Sequence, residues 1–108
     1  MSPRPTDLGR FAEPAMLVLV SLSDGPKHGY AIMADVEAFT GSPMGPGTLY
    51  AVLARLEAAG HVEPLAAEDR RRPYRITPAG RAAMRAQLDA MEHVVRVGRL
   101  RADEGAEQ

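Results

Sequence analysis

The residues with the plainest chemistry are cationic. Arg70, Arg71, Arg72, Arg75, Arg81 and Arg85 follow one another with no Asp or Glu between the first and the last, a local charge of +6 in a chain whose formal net charge is −1. Guanidinium groups clustered in this way suit phosphate oxygens, which they bind through charge-assisted and often bidentate hydrogen bonds. A run such as Arg70-Arg71-Arg72 on its own also describes a solvated turn, so the element that carries it decides its meaning. Upstream lies a second set of donors. Gly47 permits close approach of a backbone, and Thr48, Tyr50 and Arg55 carry hydrogen-bonding groups. For Thr48 a local hydrogen bond at a helix start is an equal alternative, and for Tyr50 a half-buried packing role. Lys27 and Tyr30 add an ammonium and a phenol near another helix start, against a solvated amine and a buried ring. Arg85 could equally pair with Asp89 one turn along a helix.

Other chemistries lack their residues. With no cysteine, the chain has no disulfide, thiolate metal site or thiol nucleophile. His28, His61 and His93 are scattered without carboxylate or histidine at ligand spacing, so no metal and no cofactor is expected. Ser21, Ser23 and Ser42 sit in no nucleophile motif, and no phosphate-cradling glycine loop of recognised spacing precedes a helix. The expectation is a protein that is not an enzyme. The apolar stretch Ala15 to Val20 is too short to cross a bilayer, and Met1 to Arg10 lacks the pattern of a signal peptide. A cytoplasmic location with no membrane role follows as an expectation.

The elements that must position the cations read in order. Residues 1–12, with Ser2-Pro3-Arg4-Pro5, form an expected flexible arm carrying Arg4 and Arg10. A first helix from about Pro14 carries Met16, Leu17, Val20 and Leu22, is apolar nearly all round, and ends at Asp24-Gly25-Pro26. A second fits His28 to Thr40, with Ile32, Val36 and Phe39 on one face and Gly41-Ser42-Pro43 as its stop. A third starts near Gly45-Pro46 and ends at Gly60; Leu49, Val52, Leu53 and Leu56 form its core line, leaving Thr48, Tyr50, Ala51 and Arg55 on the other face.

From His61 to Thr77 the helical period vanishes, and two short strands with a tip at Glu68 to Arg72 are expected, each weakened by a proline, Pro64 or Pro73. A last helix, capped by Thr77 with Pro78 in its first turn, presents Met84, Leu88, Met91 and Val95 at spacings suited to another helix. It is expected to reach about Arg101, with 102–108 a disordered acidic tail. The predicted fold is mainly α with a small β-hairpin: a winged-helix domain over 13–77 and a C-terminal dimerisation helix over 78–101. The major groove of double-stranded DNA accommodates one helix, and in this order of elements the third helix is the one to enter it while the hairpin lies on the backbone.

The sequence resembles the PadR family of transcriptional regulators through His28-Gly29-Tyr30, Gly47-Thr48-Leu49-Tyr50, Arg55-Leu56-Glu57, Gly60, and Tyr74-Arg75-Ile76-Thr77 followed by Gly80. The resemblance runs from residue 14 to about 100. It implies a winged helix-turn-helix homodimer held by its first and last helices, binding a pseudo-palindromic operator, usually as a repressor released by a small molecule. A single terminal helix after the wing looks like the short type of that family. Ala51 stands where the family often has proline, and Pro73 where it often has an aromatic residue.

The DNA-facing set expected from these arguments is Lys27, Tyr30, Gly47, Thr48, Tyr50, Arg55, Arg70, Arg71 and Arg72. Met16, Leu17, Val20, Met84, Leu88, Met91 and Val95 are expected as core or dimer interface and as the place for a small hydrophobic effector. No tryptophan is present to stack on such a ligand. A chain of 108 residues without disulfides has a modest core, which favours pairing with a second copy. The competing class is a winged-helix module that docks protein instead of DNA, for which the near-neutral net charge speaks.

Overall fold

The structure, a computed structural model, describes residues 13–106. The arm expected over 1–12, including Arg4 and Arg10, lies outside the described residues. Helix α1 (Pro14–Leu22) opens with proline in its first turn, where a missing amide costs nothing. None of its residues is exposed, and Val18, Leu19 and Leu22 are almost completely buried. An apolar surface all round needs cover on several sides, and here the chain's own elements supply most of it: the three later helices and the sheet all pack on α1, leaving Ala15, Leu17 and Val20 partly accessible.

Strand β1 (Lys27–His28) leads directly into α2 (Gly29–Thr40), which buries Ile32 and Val36 and ends at Gly41 in the left-handed conformation, φ +78°. Phe39, expected on the same buried face, is 46% exposed in the last turn of α2. Helix α3 (Pro46–Ala58) buries Leu49, Val52, Leu53 and Leu56, the line that its spacing predicts. Gly60, at φ +79°, then turns the chain out of the helix, and the His61 amide bonds back to the Leu56 carbonyl at 2.8 Å.

Strands β2 (Val62–Pro64) and β3 (Pro73–Ile76) pair antiparallel, Val62 opposite Ile76 and Pro64 opposite Tyr74. The expected two-stranded hairpin is thus present, but it is part of a three-stranded sheet in the order β1-β3-β2, with His28 opposite Pro73. The second helix accordingly starts at Gly29 and not at His28. Two residues are too few to show an alternating pattern, which is why β1 escapes a reading by periodicity.

Helix α4 (Pro78–Ala106) is 29 residues long. Thr77 caps it as expected: its hydroxyl accepts from the Gly80 amide at 3.0 Å and donates to the Gly60 carbonyl at 2.6 Å. A Cβ on Gly80 would sit 2.0 Å from the His61 carbonyl oxygen, so only glycine allows the first turn of α4 to lie against the start of β2. The helix runs on to Ala106, so residues 102–106 are helical where a loose acidic tail was expected. No proline interrupts this end, and the helical hydrogen bonding simply continues through it. At about 1.5 Å per residue such a helix spans roughly 43 Å. It dominates a molecule of 60 × 32 × 20 Å, and beyond Met84 much of it stands clear of the core.

Candidate nucleic-acid interface

Three elements converge on one face. The α3 surface opposite its core line carries Gly47, Thr48, Tyr50 and Arg55, all exposed. The N-terminus of α2 contributes Tyr30, which is 73% exposed. The wing supplies the arginines. Between them lies a cleft of about 350 Å³ lined by His28, Gly29, Tyr30, Tyr50, Tyr74 and the three arginines Arg70, Arg71 and Arg72, with no carboxylate among its walls.

The position of Tyr50 depends on a missing side chain. A Cβ on Gly29 would lie 2.4 Å from the Tyr50 hydroxyl, so the phenol crosses the start of α2 where the backbone is bare. The ring remains 52% exposed, with its hydroxyl on the face shared with the wing. The sequence alone does not pair Gly29 with Tyr50; a glycine one residue into α2 was the only available signal.

The wing tip is a two-residue turn. Glu68 and Arg71 exchange backbone hydrogen bonds of 2.6 and 2.8 Å, and the two residues between them, Asp69 and Arg70, have φ of +48° and +68°. Paired left-handed residues match the twist of a hairpin, but neither is the glycine or asparagine that adopts this conformation most easily. Arg71 and Arg72 are each held by one contact, Arg71 to the His28 imidazole at 3.3 Å and Arg72 to the Leu65 carbonyl at 2.9 Å. A guanidinium has five N–H donors, so both keep most of theirs.

The run of six arginines does not act as one patch. Arg75 is paired with Glu63 on the neighbouring strand. Arg81 donates to the Ser23 carbonyl at 3.1 Å, at the end of α1, and reads as a structural contact between α4 and α1. Glu68 and Asp69 line a second cleft with His28, Arg71 and Pro73, so the turn over 68–72 has a net charge of only +1. Lys27, expected as a phosphate contact, is turned inward: its ammonium bonds Asp24 and the Ser21 carbonyl, and its side chain is 19% exposed. The hydrogen bond and the charge of Lys27 together hold the Asp24 carboxyl below its usual pKa.

The residues expected at a subunit interface divide into two groups. Met16 and Met84 belong to the chain's own core, and Leu17, Val20 and Met91 pack partly against it. Leu88 and Val95 are 40% and 52% exposed along α4, where Val94 and Leu100 are exposed as well. A cleft of about 360 Å³ between α1, α3 and α4 has Met16, Leu19, Leu56 and Met91 in its walls, with Glu13, His61 and Gln87 as polar neighbours. Among the described residues, no three histidines or carboxylates gather to hold a metal ion, and no helix is long and apolar enough to cross a membrane.

Comparison with known proteins agrees with this architecture. The sequence model of the family described as "Transcriptional regulator PadR-like family" matches residues 18–86. Transcriptional regulator Rv3488 of Mycobacterium tuberculosis is 39% identical over 82 residues, covering 73% of this chain and 76% of that protein. An uncharacterised 37.1 kDa protein in a transposon of Streptomyces fradiae is 49% identical over 82 residues; the match takes in 76% of this chain but only 24% of that much longer relative. Among solved structures, a transcriptional regulator from Clostridium thermocellum superposes with a TM-score of 0.71 at 30% identity, covering 78% of this chain and 87% of the other.

Proposed function

Since the chain belongs to the PadR-like family of transcriptional regulators, we propose that it regulates transcription by binding double-stranded DNA as a homodimer. The observation that carries this is the convergence of Tyr50 from the exposed side of α3, Tyr30 and the three wing arginines on one cleft without a carboxylate in its walls. In this reading α3 enters the major groove, where Thr48 and Arg55 meet base edges or phosphates and the bare backbone at Gly47 comes close to the duplex. Arg70, Arg71 and Arg72 meet flanking phosphates and supply affinity more than choice of sequence. Lys27, tied to Asp24, has a structural role.

The exposed apolar residues of α4 support pairing with a second copy, which spaces the two recognition helices for a pseudo-palindromic operator. The cleft beside Met16 and Met91 supports a small hydrophobic effector whose binding lowers operator affinity, the action of a repressor that can be released. Such a protein works where the DNA is, in the cytoplasm. The reading as a protein-docking module draws on the same α4 face and on the near-neutral wing turn, and a stable homodimer would use that face up.

Selection of bound sequences from random duplexes tests the proposal directly. The expected result is a palindromic consensus with half-sites centred about one helical turn, roughly 34 Å, apart. Recovery of no enriched sequence would sink operator recognition. In a companion titration, Arg71→Ala should weaken binding to all sequences alike and lower the salt slope by about 1.

A further inference from the structure

The geometry points to His28 as the positioning residue for the wing, an inference that rests on the DNA-binding reading above. His28 ends β1 opposite Pro73 and caps α2 through its backbone alone, its side chain making no cap hydrogen bond. The imidazole faces the wing instead, with Nε2 3.3 Å from a guanidinium nitrogen of Arg71, a contact that spans 43 residues of sequence. Arginine can only donate, so Nε2 is the acceptor and the proton of the neutral ring sits on Nδ1.

The wing needs such a tie. Its turn holds two non-glycine residues at positive φ, and the bonds from Glu68 to Arg71 and from Arg72 to Leu65 all close within the hairpin. Among the described side-chain hydrogen bonds, His28 to Arg71 is the one that joins the tip to the base of α2, next to the Tyr50 phenol. It thereby sets the direction of Arg71 relative to α3. The chemistry of the partner matters as much as its place. Glu68 and Asp69 line the same cleft, and either carboxylate would hold Arg71 while cancelling its charge. A neutral imidazole orients the guanidinium and leaves both its charge and four of its N–H groups for phosphate, so less ordering remains to be done on binding.

Two measurements on the full chain test this. The first needs no DNA: ¹⁵N NMR at a pH where His28 is neutral should show Nε2 unprotonated in the wild type and protonated in a larger share of molecules in Arg71→Ala. An Nε2–H ring in the wild type would overturn the inference.

The second is a double-mutant cycle on duplex affinity. His28→Ala should weaken binding roughly fivefold, the worth of one hydrogen bond. His28→Gln, whose carbonyl oxygen can accept in place of Nε2, should restore it. Adding His28→Ala to Arg71→Ala should cost nothing further. Additive losses, or no rescue by glutamine at matched thermal stability, would overturn it. If wild-type protein bound no duplex at all, the DNA reading would fall while the tautomer measurement still judged the His28–Arg71 contact.

Discussion

Asp24 and Lys27 lie three residues apart across the turn that ends α1, and their pairing occupies the ammonium that the proposed interface would otherwise offer to phosphate. Lys27 also donates to the Ser21 carbonyl, so one ammonium serves the carboxylate and the C-terminal end of α1 together. Because Lys27 depresses the Asp24 pKa from 3.8, the pair contributes stability that is fully present above that value and fades as the pH falls through the lower folded value. We expect Asp24→Asn to lower the urea midpoint at pH 7 and to match the wild type once both are taken well below pH 3.8. A difference that persisted into strong acid would mean that Asp24 stabilises by something other than its charge. Charge type alone made Lys27 attractive as a phosphate contact; only the folded turn shows that its partner is already present.

Glycines decide how the elements meet. Gly80 sits where α4 crosses the start of β2, with the His61 carbonyl oxygen 2.0 Å from where a Cβ would be, and backbone cannot yield as a flexible side chain can. Gly80→Ala should therefore destabilise the fold by about 2–3 kcal/mol in equilibrium denaturation, the scale of an overpacked core site. Gly47 offers the opposite case. It lies in the first turn of α3 with nothing within 4 Å of its missing Cβ, so Gly47→Ala should stabilise by about 0.5–1 kcal/mol and still weaken DNA binding if the bare backbone meets the duplex there.

Much at this scale is legible in the sequence. The line Leu49, Val52, Leu53, Leu56, the Thr77 cap and the stop at Gly60 all follow from period and capping chemistry, because those are local rules. What escaped is non-local. The partner strand β1, the seating of Tyr50 over Gly29, and the division of the arginine run between Glu63, Ser23 and the wing all depend on residues distant in sequence.

At the scale of the whole molecule the surface left without a partner is that of α4. Its first turns are anchored by Thr77, Gly80 and Arg81 and bury Met84, yet Leu88, Val94, Val95 and Leu100 remain exposed on a helix that water alone would not favour in this form. A second copy laid along the Leu88–Val95 line of this helix would bury those two side chains and fix the distance between two recognition helices. The two effects can be separated by experiment. Replacing Leu88 and Val95 together by lysine leaves the winged-helix core untouched, since both side chains lie outside it. The variant should appear as a monomer by light scattering and the wild type as a dimer, with the single half-site affinity little changed. On a two-half-site operator it should lose about 100-fold, because the second contact is no longer made at the high effective concentration of a linked partner. A doubly substituted protein that stayed dimeric and kept operator affinity would move the subunit interface away from α4, and with it the account of how half-site spacing is set.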